Sequence, residues 1–476
     1  METEKRLLWF LILALGILLF FNHFFKPTTS APSLQKVEKP TLSLRAPKPE
    51  ECQPQSWENK YWSITLCLSR GYISNVQIRR FEESLLYQNI LFLESTQKPR
   101  IETTSQSITF SSSSFIKKIK FLKPYLWETY VKRLSLSEKS FLEICTFKED
   151  KSFYRRYQEV FYKKEKEEPI LRLPYSKIKN PQVITNPQLL GLRDRYYALV
   201  ILEPPPGEYI LEKRSQGVVL SWKPPQDKPF KAKIFIGPQE MKILKLYDLQ
   251  DVINFGFFHG IGILILKILY FGFRIFKNWG IAIIFLSTLI YIILFPLTVK
   301  STKSMRKMQE LQPEIEELRR KFKDNPQKLN KEILELYRKY KINPLGGCLP
   351  LFLQIPIFFA LYQVLIRAVE IKGARFLWIK DLSLPDYLIK FPFSLPILGD
   401  GLHLLPLIMM GLMFLQQKLT TPKTQASEQQ KLMSVVFPLL FGIIFYRFPS
   451  GLVLYWVCNS LFTFIYQLRL TKISPS

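Results

Sequence analysis

Apolar and polar positions along this chain are sorted into long blocks. Leu7–Phe25 is apolar apart from Asn22 and His23. A helix over that stretch is roughly 28 Å long at 1.5 Å per residue, enough to cross a hydrocarbon core. Lys5 and Arg6 precede it and place the N-terminus in the cytoplasm. A cleaved signal peptide ending near Thr29-Ser30-Ala31 is the rival reading. The length of the apolar run favours an uncleaved anchor at 1–25. In the linker at 26–56, Pro27, Pro32, Pro40, Pro47, Pro49 and Pro54 suppress helix and strand alike.

From 57 to 250 the period changes to two. Trp62, Ile64, Leu66 and Leu68 alternate with polar partners, Gly71 marks a turn, and Ile73–Ile78 reads as the returning strand. Strand signals recur at Ile108–Phe110, Tyr197–Leu202, Val218–Trp222 and Lys233–Ile236, and Pro204-Pro205-Pro206-Gly207 forms a turn. The pattern predicts a β-sandwich without fixing its strand order.

Residues 251–277 are apolar and long enough to span, yet Lys267 and Arg274, seven apart, share one helical face. Residues 281–298 carry no charge and must span. Residues 300–341 then hold 13 Lys/Arg against 7 Asp/Glu, a basic loop that belongs in the cytoplasm. With the N-terminus inside and the β domain outside, one crossing suffices, so 251–277 is expected to lie flat on the outer surface. Further spans fall at 349–366, 402–417, 432–446 and 452–467. Lys418, Lys423 and Lys431 in the inner loop, and Arg469 and Lys472 in the tail at 468–476, agree with that orientation. The spans at 402–417 and 432–446 are short, roughly 21–24 Å by helical rise, and short spans thin the bilayer around them. The fold class is an α-helical membrane bundle, a five-span core at 278–467 plus the N-terminal anchor span. It carries a β-sandwich outside the cytoplasm and a helical hairpin at 300–341 inside.

In the hairpin, Met305, Met308, Ile315, Leu318 and Phe322 recur at helical spacing, as do Leu329, Ile333, Leu336 and Tyr340, with a turn at Lys323-Asp324-Asn325-Pro326 between them. Arg306, Lys307, Arg319, Arg320 and Lys321 make it a candidate docking surface for an incoming chain or a ribosome; a solvated structural hairpin is the alternative. Inside the spans, polar residues line up by helical phase: Ser287, Tyr291 and Thr298; Gln354 and Tyr362; Tyr455, Asn459 and Tyr466; with Gln416 and Gln417 ending another. Such groups avoid lipid, so they face each other or water. One reading is interhelical hydrogen bonding. The other is a wet groove lined by Ser287, Tyr291, Gln354, Tyr362, Gln417, Tyr455, Trp456 and Asn459.

Net charge refines this picture little. Of the formal +28, half lies in 26–248, with 38 Lys/Arg against 24 Asp/Glu, a basic surface suited to anionic lipid. No recognition motif accompanies it, which argues against sequence-specific nucleic-acid binding. Cys52 and Cys67 flank a strand, and either a disulfide or free thiols fits; no pair has CxxC spacing. Three scattered histidines, His23, His259 and His403, give no metal cluster and no triad. No P-loop is present, and no cofactor is expected. An intramembrane protease would need more than Ser450 in Phe-Pro-Ser-Gly. A transporter or channel, the runner-up function, lacks a charged residue inside a span.

Longer motifs carry a resemblance. Asn278-Trp279-Gly280, Pro296-Leu297-Thr298, Met308 with Leu311-Gln312-Pro313-Glu314, and Asn343-Pro344-Leu345-Gly346-Gly347-Cys348 occur in order. Pro350, Gln354, Pro356-Ile357-Phe358, then Trp378-Ile379, Asp381-Leu382-Ser383 and Phe448-Pro449-Ser450-Gly451-Leu452 follow. Phe235-Ile236-Gly237-Pro238 and Phe255-Gly256 lie upstream. From about 234 to 467 the chain resembles the YidC insertase family. The resemblance implies a six-span protein of the bacterial inner membrane with a periplasmic β-sandwich and a flat periplasmic helix. It also implies a groove open to cytoplasm and lipid but closed outside. The implied partners are nascent membrane proteins, the Sec translocon, the ribosome and the bilayer. One position departs: the family's arginine five residues before the Pro of Pro-Leu-Thr is Tyr291 here, and Arg367 and Arg447 sit at the outer ends of their spans. A polar, less cationic groove is the expectation.

Overall fold

The structure, a computed structural model, describes residues 52–93, 98–122, 124–134, 141–225, 228–323, 325–342, 349–395, 399–420 and 428–473. The anchor at 1–25, the linker to residue 51, the 343–348 motif and Lys423 lie outside them. The described residues divide into two compact units, one ending at residue 254 and one beginning at residue 255.

The first unit is all β. A nine-stranded antiparallel sheet runs Leu171–Pro174, Glu159–Lys163, Leu189–Arg193, Tyr197–Leu202, Phe230–Pro238, Leu126–Arg133, Phe115–Phe121, Ser107–Ser111, Arg100–Thr103 from edge to edge. A five-stranded sheet runs Gln182–Thr185, Glu208–Arg214, Gly217–Lys223, Leu142–Lys148, Tyr87–Gln88, and a four-stranded one runs from Pro54–Glu58 to Glu83–Ser84. The Tyr87 hydroxyl bridges the sheets, donating to the carbonyls of Leu192 (3.1 Å) or Tyr197 (3.0 Å). Trp62 is fully buried against Phe121 and Trp127. The alternation read at Trp62, Ile64 and Leu66 is the inward face of the strand Trp62–Cys67, which pairs with Tyr72–Ile78 through a turn at Gly71 (φ 63°). The first strand begins at Pro54, inside the stretch read as linker. Proline is tolerated as the opening residue of this edge strand. Cys52 and Cys67 are joined as a disulfide with a Cα separation of 5.3 Å.

Lys117 is the one fully buried cation among the large buried side chains described. Its amine donates to the carbonyls of Gly71 (2.7 Å) and Leu91 (2.8 Å) and lies 4.5 Å from the Phe115 ring centre. Burial, helped by the Arg133 charge, lowers it from 10.5 to about 7. A neutral amine still offers two N–H groups, one for each carbonyl. The folded-state value is depressed, so between about pH 7 and 10 the unfolded chain binds a proton that the folded chain does not. Stability from this group therefore rises with pH across that window. Unfolding of the β unit in the intact chain, followed by calorimetry, is expected to shift upward by several degrees from pH 7 to 9.5, and Lys117→Met to flatten that rise. Equal slopes for wild type and variant would show that Lys117 stays charged.

The second unit holds eight helices among the described residues: α1 His259–Phe276, α2 Trp279–Glu310, α3 Gln312–Lys321, α4 Pro326–Lys339, α5 Leu349–Arg367, α6 Leu404–Thr420, α7 Glu428–Phe445 and α8 Ser450–Ile473. Gly256–Phe276, Trp279–Met308 and Ser450–Leu470 are long and apolar enough to cross a membrane; the apolar parts of α5, α6 and α7 are shorter. Outward-facing Ile292, Ile293, Phe352, Leu353, Leu439, Ile443 and Ile465 give the bundle a lipid-compatible surface. The span read as 281–298 runs on through Pro296 as one helix to Glu310. Proline deletes one donor from the ladder, and Thr298 bonds back to the Leu294 carbonyl (3.1 Å) beside the gap. The hairpin break consequently falls at Leu311. Met308 joins Leu311, Ile315, Ile342, Ile333, Leu336 and Tyr337 in a small apolar core, and Tyr340 donates to Glu314 (3.0 Å) across it. Met305 is exposed rather than packed.

Candidate functional site

Helix α8 collects hydrogen bonds from three neighbours near its middle. From α5, Gln354 donates its amide to the Tyr455 hydroxyl. From α2, the Tyr291 hydroxyl donates to the Phe462 carbonyl (3.2 Å). From α6, Gln416 donates to the Ser460 carbonyl. Asn459 adds a bond to the Tyr455 carbonyl one turn back (2.9 Å). Tyr455 is fully buried, whereas Tyr291, Gln354 and Asn459 are half-buried and keep surface for a visitor. Seven residues separate Tyr455 from Phe462, so this polar spine is about 10 Å long.

The other residues singled out from sequence fare differently. Ser287 is fully buried, donates to Ile283 in its own helix (2.8 Å) and meets the Cys458 thiol. Thr288, Thr298 and Thr302 also bond back to carbonyls four residues earlier. Part of the α2 stripe is thus satisfied internally. Tyr362 packs on Phe448, and Trp456 packs among Phe358, Phe441 and Phe445, so both take part in an aromatic cluster. Gln417 is half-buried, and its neighbour Gln416 bonds to α8. In the hairpin, Lys307, Arg319, Arg320 and Lys321 are exposed and Arg306 half-buried. Arg319–Lys321 sit in the last turn of α3, where the helix dipole favours cations.

At the other end of the bundle, the loops entering α6 and α8 form a buried polar knot. One Asp386 carboxylate oxygen accepts from Trp378 Nε1 (3.1 Å) and from the backbone N–H groups of Leu404 and Leu405 (2.9 Å each), capping α6. The Asp386 carbonyl pairs with His403 Nδ1, and the Tyr446 hydroxyl bonds Gly401 O (3.0 Å). Ser450 donates to Asp381 O (3.1 Å) at the start of α8. Asp386 escapes sequence reading because its loop has no period, and the partners of His403 and Tyr446 are set by tertiary packing. No group of three His, Cys, Asp or Glu able to hold a metal is present among the described residues.

These features define a helical membrane protein carrying a β-sandwich. The sequence model of the 60Kd inner membrane protein family matches residues 271–475. A membrane protein insertase YidC of Endomicrobium trichonymphae is 42% identical over 269 residues, 55% of this chain and 50% of that protein. One of Wolinella succinogenes is 37% identical over 305 residues, 62% of this chain and 53% of that protein. Residues 271–475 are therefore similar to the membrane core of YidC insertases. The chain spans about half the length of the curated relatives it matches. A crystal structure of an active YidC insertase aligns over 95% of this chain and 98% of its own at 17% identity, TM-score 0.45. One of YidC from Thermotoga maritima aligns over 87% and 99% at 15% identity, TM-score 0.35.

Proposed function

We propose that this protein inserts newly made membrane proteins into the bacterial inner membrane and helps them fold. The observation that carries the proposal is the polar spine on α8, set between apolar helices and half-open at Tyr291, Gln354 and Asn459. A substrate's short polar segment enters from the cytoplasm and exchanges hydrogen bonds there instead of facing lipid. A charged group at the bilayer centre costs about 2.5–3.5 kcal/mol even on insertion scales, so the hydrocarbon barrier to polar segments is real. The substrate's apolar segment then leaves sideways into lipid, and burial of its surface supplies the energy without a nucleotide. Ser287, Tyr362, Gln417 and Trp456 flank the path, and the Asp386 knot keeps the outer end shut.

The disulfide between Cys52 and Cys67 supports a periplasmic β unit, since such bonds persist in oxidising compartments. The exposed Lys267 and Arg274 support α1 lying in the outer interface with both termini inside. The basic hairpin would meet the ribosome, and the Sec translocon is a second partner. Depleting the protein should strand new membrane proteins in the cytoplasm. Single cysteines at Tyr291, Gln354 and Asn459, the half-buried positions of the spine, should react with a polar thiol reagent added from the cytoplasmic side. Unreactive cysteines in a folded, active protein would rule out the wet notch.

A further inference from the structure

The outward face of the nine-stranded sheet carries a cluster of lysines. In Phe115–Phe121, positions 115, 117, 119 and 121 are buried, so Lys118 and Lys120 point outward. Strand pairing then sets two rows across three strands. Lys118 stands opposite Tyr130, and Tyr130 opposite Lys231. Lys120 stands opposite Glu128, and Glu128 opposite Lys233. With strands about 4.8 Å apart and residues i and i+2 about 7 Å apart, the four lysines mark the corners of a rectangle of roughly 10 by 7 Å. Lys132 follows Tyr130 on the same face. All five lysines are exposed, and among the described residues none of them forms an ion pair, even with Glu128. The other acid in these rows, Glu102, is taken by Arg100 (3.2 Å) on the edge strand.

We propose that this face binds the anionic phospholipid headgroups of the bilayer in which the chain's own helices sit. A sheet face that meets only water gains from opposite charges across strands, and this one forgoes that gain. The residue type argues for lipid over a protein partner. Fixed protein interfaces favour arginine and are poor in lysine, whereas a lysine on a flexible stem meets a phosphate as a point charge. The chain also keeps the bilayer within reach, because the β unit ends at residue 254 and the apolar helix Gly256–Phe276 follows directly. The neighbouring part of the same face is covered by the chain on its way out: Tyr247 packs on Phe235, with ring centres 5.6 Å apart, and donates to Pro124 O (2.6 Å). Beside it Leu246 is 64% exposed, an apolar side chain of the kind that enters the headgroup boundary. Each amine held near an anionic surface strengthens association roughly fivefold. The inference stands on the β unit and does not depend on the insertase reading.

The test uses the purified full-length chain in nanodiscs of phosphatidylcholine, with or without one third phosphatidylglycerol. A water-soluble acetylating reagent is added, and mass spectrometry follows the rate at each lysine. Lys164 and Lys166, exposed after the strand Glu159–Lys163, serve as internal reference. With phosphatidylglycerol present, Lys118, Lys120, Lys231 and Lys233 should react at least fivefold more slowly relative to the reference, and about 0.5 M sodium chloride should restore their rates. Lys118→Glu combined with Lys231→Glu should return Lys120 and Lys233 to the rate seen in phosphatidylcholine, at an unchanged melting temperature. Equal rates in the two lipids with the wild-type chain would overturn the proposal without any variant. Slowing that ignores salt, or that persists in the folded double variant, would overturn it as well. Protection found in native membranes and not in the anionic nanodiscs would replace lipid by an acidic protein.

Discussion

Glu159→Ala is expected to lower the melting temperature of the β unit by about 10 °C and to release residues 250–254 from it. Glu159 is buried, and its Oε1 accepts from Arg193 Nε (2.7 Å) and Arg172 Nη1 (2.6 Å). Both guanidinium groups are deep, with side chains 4% and 15% exposed. Desolvation, then the neighbouring Arg193 charge, already pulls Arg172 below its ordinary value. Removing the carboxylate leaves two facing cations with no anion between them, a loss of about 3–5 kcal/mol for a broken buried pair. The same cations hold the chain that leaves the unit: Arg193 donates to Val252 O (2.9 Å) and Arg172 to Asp251 O (2.7 Å). Amide hydrogen exchange should therefore rise first at 250–254. Glu159→Gln keeps an oxygen for one arginine and should cost less. A Glu159→Ala protein with wild-type melting and exchange would mean that the bridge is not the latch.

Some of this fold was legible because the physics is local. Tyr197–Leu202 reads as a strand since five of its six residues are buried, leaving a continuous apolar run. Val218–Trp222 lies within a strand for the same reason. Arg100–Thr103 and Gln182–Thr185 give no such signal, being short edge strands in which only Ile184 is buried. Pro54 misled for a different reason. Six prolines in a row of thirty residues spell linker, but the last of them opens a strand at a sheet edge, where no ladder donor is required. Pro296 does not end its helix, because a missing donor interrupts a helix in water more readily than in an apolar bundle with a threonine beside it.

The spine was half legible. Helical phase puts Gln354 and Tyr455 on inward faces, but which hydroxyl meets which amide depends on how α5 and α8 cross, and no single-helix period encodes that. Gln416 and Gln417 differ by 100° around α6, and only packing decides which one reaches Ser460. Trp456 neighbours Tyr455 in sequence and so points a third of a turn away, into the aromatic cluster of Phe358, Phe441 and Phe445. Charge, by contrast, is read directly from the chain. The absence of an Asp, Glu, Lys or Arg side chain in these spans needs no tertiary knowledge, and it is what limits the chemistry the spine can perform.

Asp386→Ala is expected to destabilise the membrane unit by about 4 kcal/mol and to make liposomes that contain it leaky. One buried carboxylate oxygen serves three donors, the Trp378 indole and two backbone N–H groups at the start of α6. Each donor left without an acceptor costs about 1–3 kcal/mol, and the favourable interaction of an anion with a helix N-terminus is lost as well. Asp386→Asn keeps an acceptor oxygen but not the charge, so about half the loss should return. The consequence reaches function because His403 and Tyr446 lean on the same loop: His403 packs against Tyr387 and Tyr446, with ring centres 4.7 and 4.4 Å apart. Loosening α6 at this end frees the α7–α8 corner, where Ser450 is tied to Asp381. The proposed notch, wet from one side, would become a path once its closed end opened. Release of a trapped small dye should thus rise in liposomes carrying Asp386→Ala and not in those carrying wild type, in parallel with a lower melting temperature in detergent. Wild-type melting in the Ala variant would show that the three donors do not depend on this carboxylate. A destabilised variant that stays tight to the dye would place the barrier elsewhere in the bundle.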